Sequence, residues 1–328
     1  MNEGASTPAA QAPGALHRLL RNRTAVVSMV ILAFVVLGVI LGPSLFDYRP
    51  EAVTKYSKHP PTWLTQTPQQ LAADAEIGPP VGKWSFPFGT DINGRDVFSR
   101  VIQGARISLL VGLCGALVSF FVGTTYGLIS GYVGGRVDNI MMRLVEVLHS
   151  IPRLIIVIVA IFTFAPKLQD WLNAGMFKDF VGYSKIIILI LCLGLIEWLS
   201  MARIVRGQVL ALKEQQFVLA ARSLGQSHTT ILTRHLLPNL VGVVVVYLTL
   251  TIPAVILDES FLSFLGLGIN DPQASWGSLL SDGKNVINPV KSYWWLLAFP
   301  AAAMSMTLLA LNFLGDALRD ALDPRARR

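Results

Sequence analysis

QQFVLAARSLGQSHTTILTRHLLPN, residues 215–239, lies between two apolar runs long enough to cross a bilayer, yet it carries charges, glutamines, histidines and a central glycine. Its residue order predicts two short helices. Gln215–Leu224 is rich in helix formers, and Gly225 suits a helix end because glycine tolerates the left-handed conformation found there. Ser227 is placed to cap a second helix, which runs through HTTILTRHLL. Pro238, lacking an amide donor, suits the first turn of a further, membrane-spanning helix. A helix–turn–helix that binds DNA also has a glycine turn, but tethering at both ends to a membrane argues against nucleic acid.

The surrounding chain sets the class. Of 328 residues, 53% are hydrophobic and 14% charged, against about 25% charged in soluble domains. Six apolar runs are long enough for spans of about 20 residues: 25–46, within 107–135, 151–166, 186–202, 236–257 and 292–315. The fold class expected is therefore an all-α polytopic membrane protein. Six spans put both termini on one side. The division is a cytoplasmic tail 1–24, a first span 25–46, an extracytoplasmic loop 47–104, a core 105–315 with the loop 203–239, and a cytoplasmic tail 316–328. With that orientation 15 of the 27 Lys and Arg residues lie inside and 12 outside, seven of the latter in one long loop, and long loops obey the positive-inside rule poorly. The formal charge of +7 then reflects orientation against an anionic leaflet. Arg18, Arg21 and Arg23 precede an apolar run too long for a cleavable signal. Cys114 and Cys192 sit in apolar runs and offer no disulfide or metal framework.

LAARSLG followed by HLLPN resembles the EAA loop of ABC-importer permeases: Glu-Ala-Ala, three residues, Gly, nine residues, an apolar residue, any residue, Leu-Pro. Ala220, Ala221, Gly225, Leu237 and Pro238 fall on that pattern, with Arg222 beside it. Leu219 stands where Glu is usual, and His235 replaces the apolar residue, as in the peptide-type reading RHxLPN. RLLRNRTAVVSMVILAFVVLGVI (18–40), FGTDINGRDVFSRVIQGARISLLVG (88–112) and ESFLSFLGLGINDPQASWGSLLSDG (259–283) extend the resemblance to the C-type permease of dipeptide and oligopeptide importers.

The resemblance implies a type I ABC importer permease fold with a cytoplasmic coupling helix in a bacterial-type inner membrane. It implies a B-type permease partner, two P-loop ATPase subunits or domains, an extracytoplasmic binding protein and a peptide substrate. Such a chain has no catalytic site, metal or cofactor of its own. ATP and Mg belong to the ATPases, in keeping with the lack of a Gly-x4-Gly-Lys-Ser/Thr loop here. Nickel, glutathione, opines or another small solute are alternative cargoes within the family. An ion-coupled secondary transporter is the alternative from another class. A membrane-embedded enzyme would need a convergent catalytic constellation, which the sequence does not assemble.

Further residues are candidates. In GTDINGRD (89–96), Asp91 and Asp96 fail the calcium-loop pattern, because positions six and twelve are Asp96 and Ile102. Asp91, Gly94, Arg95 and Asp96 form either a turn and cap holding the loop to the span mouth or a docking point for the binding protein. Glu259, beside Asp258 at the end of the fifth span, either faces the translocation path or is solvated or paired. Glu197, six residues before Arg203, reads as a pairing partner rather than a proton site. His149, His228 and His235 lack metal-ligand spacing. Gly123, Gly127 and Gly131 share a helix face, which suits packing within the chain or a subunit interface. SYWWLLAF (292–299) reads as an interfacial aromatic belt.

Overall fold

The computed structural model describes residues 15–64, 74–78, 82, 84–175, 178–287 and 292–322. The outer parts of both expected tails, with DPRARR, lie outside them, as does part of IGPPVGKW. Ten helices are used below: α1 (Ala15–Arg21), α2 (Arg23–Leu45), α3 (Val97–Val133), α4 (Gly135–Ser150), α5 (Arg153–Ala174), α6 (Ser184–Leu212), α7 (Gln216–Ser223), α8 (His228–Phe264), α9 (Trp276–Asn285) and α10 (Trp295–Leu322). Six of them, α2, α3, α5, α6, α8 and α10, are long and apolar enough to cross a membrane. Among the described residues the only extended pairing is a bridge between Thr90 and Asp96.

Helix starts follow local chemistry. The Asn22 carboxamide oxygen accepts from the Thr24 and Ala25 amides at 3.0 and 3.4 Å, satisfying donors that the first turn of α2 leaves free. Asp96 caps α3 through the Phe98 and Ser99 amides. That cap starts the helix at Val97, so the expected loop 47–104 ends eight residues early. Ile151 precedes Pro152 and is extended, with φ −80° and ψ 131°, because the proline ring disfavours a helical predecessor. The third span therefore begins at Arg153, two residues after the expected start, and continues to Ala174. The fourth runs on past the apolar stretch to Leu212, since Arg203 and Arg206 are good helix formers.

Pro238 lies in the first turn of the α-helical stretch Leu237–Phe264, as expected, but no interruption of the winding precedes it. His228–Phe264 is continuous, and Ile231–Leu236 is wound as a π-helix, with the Leu237 amide donating to the Leu232 carbonyl. The wider turn accommodates a proline that cannot donate, and Asn239 Nδ2 donates to the His235 carbonyl at 2.6 Å.

Helix α3 forms the centre, between α6 and α8; α5 packs on α6, and α10 joins α8 to α2. The glycine face of α3 meets α6 of the same chain. A Cβ at Gly123 would lie 2.6 Å from Met201 Cβ, one at Gly127 would meet the Ala202 carbonyl, and Gly194 on α6 makes the reciprocal approach to Val118. Gly115 and Gly112 give the same access to Val255 and Ile256 of α8. The small residues thus serve packing within the subunit, where close backbone approach supplies dispersion contacts that lipid does not.

Candidate functional site

One end of the bundle carries the 215–239 element. Helix α7 ends in a Schellman motif: Gln226 N–H donates to the Ala221 carbonyl at 3.1 Å and Gly225 N–H to the Arg222 carbonyl at 2.9 Å. Gly225 has φ +74° with open space around it, so backbone conformation rather than crowding demands glycine. Ser227 caps α8, accepting from the Thr230 amide at 3.2 Å. Val218, Ala221, Ile231 and Leu236 are buried with Tyr132, Val205 and Val209. His235 reaches Gln226 at 2.8 Å, and His228 reaches the Tyr132 hydroxyl at 2.7 Å. The Arg222 guanidinium lies over the Tyr132 ring. The turn is thereby seated firmly on α3, α6 and α8.

Seating decides which face remains free. Ala221 is buried against its own chain, whereas Phe217, Ala220 and Leu224 are exposed. Positions 217, 220 and 224 share one helix face, apolar and outside the spans. Of the two alanines on the loop pattern, only Ala220 is free to meet a partner. Between α4 and α6, Arg206 Nη2 donates to Asp138 Oδ2 at 2.6 Å, and the Ser130 hydroxyl also donates to that carboxylate. These bonds, the Arg206 bond foremost, hold the Asp138 carboxyl below its ordinary range although burial opposes them.

The opposite end carries residues 89–96 in a charged knot. Asp91 Oδ1 accepts from the Asn93 and Arg95 amides at 2.8 and 2.9 Å. Its Oδ2 lies 2.7 Å from Arg95 Nε and 3.3 Å from Arg100 Nη1. Arg95 and Arg100 continue to Asp271 at 2.9 and 3.2 Å, and Arg100 to Asp282 at 3.4 Å. Burial alone would raise the Asp271 carboxyl, but the Arg95 bond and the Arg100 charge bring it below its usual range. Asp96 is raised by burial. Gly94, at φ +75°, lies against the Thr54 carbonyl. Asp91, Gly94 and Arg95 are buried and clamp the loop to α3 and α9, the arrangement of the turn-and-cap alternative. Trp295 belongs to this clamp, buried with its indole N–H donating to the Thr90 carbonyl, while Trp294 alone of the pair is exposed.

Glu259 does not face an open path. It is 0% exposed, and hydroxyls of Ser108, Ser260 and Ser263 donate to it at 3.0, 3.2 and 2.7 Å. A buried carboxylate needs such partners, and the serines come from α3 and α8. Glu197 pairs with Arg153 at 3.3 Å, not with Arg203, which reaches His149 instead. Asp258 lies 3.2 Å from the same Arg153 nitrogen. Arg153 belongs to no motif in the sequence; its one signal there is a lone charge following Ile-Pro at the head of an apolar run.

Residues 123–328 match the family of binding-protein-dependent transport system inner membrane components, and residues 13–61 match the N-terminal TM domain of oligopeptide transport permease C. The chain is 45% identical over 313 residues to the oligopeptide transport system permease protein OppC of Escherichia coli (strain K12), covering 95% of this chain and 91% of that protein. It is 42% identical over 314 residues to the dipeptide transport system permease protein DppC of Bacillus subtilis (strain 168), covering 96% and 86%. A chain of the MetNI methionine ABC transporter in an inward-facing conformation superposes with TM-score 0.51 at 16% identity, covering 68% of this chain and 96% of that one; this shows the fold alone, the type I permease fold. With six spans and a match across nearly its whole length, the chain belongs to the family of binding-protein-dependent transport inner membrane components, the multi-pass permeases of ABC importers in bacterial inner membranes.

Proposed function

We propose that this chain is the C-type permease subunit of an ATP-driven importer of short peptides, forming half of the translocation path and transmitting ATPase closure to it. The names of the relatives support peptide cargo. The observation that carries the coupling role is the apolar face of Phe217, Ala220 and Leu224, exposed on a helix whose other face is locked into the bundle. A rigid element with one free face can pass force from a partner to α6 and α8, and coupling requires contacts that differ between states. The partners in this reading are a B-type permease, two cytoplasmic P-loop ATPase chains or domains holding ATP and Mg, and a binding protein. Both termini and α7 lie in the cytoplasm, and the charged knot faces outward. The chain catalyses no reaction itself.

Ala220→Arg tests it. The variant should reach normal membrane abundance, lose ATPase subunits on co-purification and lose peptide-stimulated ATP hydrolysis. Full retention with full uptake would reduce 215–239 to a connector. Peptide uptake by liposomes holding this chain alone would favour the secondary transporter.

A further inference from the structure

Arg153, at the head of α5, reaches Glu197 in the middle of α6 and Asp258 near the end of α8. Gly194 of α6 approaches Val118 and Gly123 of α3 approaches Met201, so Glu197 lies level with the residues between Val118 and Gly123. That is the middle of the uncharged run 107–135, about 20 Å from each end at 1.5 Å per residue. Charged groups at such depth are costly and mark transport pathways.

Exposure separates the three side chains. Glu197 and Asp258 are 15% and 12% exposed, whereas Arg153 is 55% exposed. Both carboxylates are held by one guanidinium nitrogen, Nη1. Among the described residues, no hydrogen bond or ion pair engages Nε or Nη2, the edge that forms a bidentate fork for a carboxylate. Arg153 and Glu197 line a cleft of about 550 Å³, with Ile156, Leu195 and His149 in its walls. Arg203, bonded to His149 at 3.2 Å, adds a second exposed cation beside it. Glu197 lines the cleft as well, and the two acids balance the two cations in formal charge; the exposed group with donors left over is the Arg153 guanidinium.

We propose that Arg153, at the head of the third span, binds a carboxylate of the passing peptide, with Glu197 and Asp258 as positioning residues that hold its free edge toward the cleft. This rests on the peptide-importer reading above. The carboxylate is the C-terminal one or that of an acidic side chain, and the two are separable.

The test uses the complete importer in proteoliposomes, with the binding protein loaded to equal occupancy with each of three probes. These are trialanine, trialanine amide and Ala-Glu-Ala amide. Uptake is expressed as ratios within each variant, so that altered folding cancels. The wild type should move a carboxylate-bearing probe about tenfold faster than trialanine amide, the ratio for one charge-assisted contact. Preference for trialanine assigns the C terminus, and preference for Ala-Glu-Ala amide assigns the side chain. Arg153→Gln should bring the preferred ratio close to one, and Arg153→Lys, which keeps the charge without the fork, should recover part of it. Glu197→Gln should raise the KM for the preferred probe with less change in kcat. Equal wild-type rates for all probes, equal slowing of all probes in Arg153→Gln, or loss of the second permease from that variant would each overturn the subsite. A wild-type importer that moves none of the probes overturns the peptide reading itself, and the subsite with it.

Discussion

Among the described residues, two clusters join arginine to more than one carboxylate, and they are built in opposite senses. In the knot at the loop end, Arg95 and Arg100 are 7% and 1% exposed and are enclosed by Asp91, Asp271 and Asp282 from three chain segments. At the head of α5 the acids are largely covered, at 15% and 12% exposed, and the arginine is open to a cleft. The same residue types therefore do different work. A buried guanidinium with its donors turned inward ties segments together, and one anchored by a single nitrogen keeps donors for something else. Exposure of the cation, rather than the presence of the pair, separates structure from recognition.

Removing each arginine should separate them further. Arg100→Met leaves three carboxylates to Arg95 alone and should cost roughly 3–5 kcal/mol, the usual penalty for breaking a buried ion pair. Reduced membrane abundance and a lowered Tm would show it. Arg153→Met should lower Tm by less than half as much, because its guanidinium is 55% exposed and its ion pairs are screened by water. Equal losses at the two sites would erase the distinction.

A second contrast lies within α7, between neighbouring alanines. Ala221→Arg forces a long cation into the cluster of Val205, Val209 and Leu236 and should cost about 1–3 kcal/mol from overpacking, with more for the charge. Abundance should drop, unlike that of Ala220→Arg. Gly225→Val should be milder, because the site is open; its cost is the left-handed backbone, about 1–2 kcal/mol. Reduced ATPase retention at near-normal abundance checks it, and a Gly225→Val chain that couples fully would show that the turn tolerates another conformation.

The smallest effect expected is a pH dependence at Asp138. Its carboxyl is held below the ordinary range by Arg206, so its contribution is present above the unfolded value of about 3.9. It is lost as pH falls through the lower folded value. Asp138→Asn should therefore lower Tm at pH 7, and the difference from the parent should shrink below about pH 4. A difference that stays constant with pH would assign the loss to packing.

The six spans were legible because bilayer thickness makes length and apolarity sufficient signals, and the Gly225 turn was legible because a Schellman end has local chemistry. Span ends were less so. Apolar composition stops at the first charge, but helix hydrogen bonds do not, which is why α6 runs to Leu212 and α8 passes through Pro238. The candidate residues divide in the same way. Sequence spacing located Ala220, Ala221, Asp91, Arg95 and Glu259 on the chain. It carried no information on which side of its own element each would bury.

What the sequence determined by itself is an all-α six-span chain with a polar, glycine-centred turn between its fourth and fifth spans, because span length, helix caps and left-handed glycine are properties of neighbouring residues. Only the tertiary structure decided that Ala221 faces inward and Ala220 outward, that Glu259 is enclosed by serines, and that Arg153 takes both Glu197 and Asp258. Those outcomes depend on contacts between separate helices, such as Ser108 with Glu259 and Arg153 with Glu197, 151 and 44 positions apart, and burial and charge pairing at that range are set by how whole helices pack, not by local pattern.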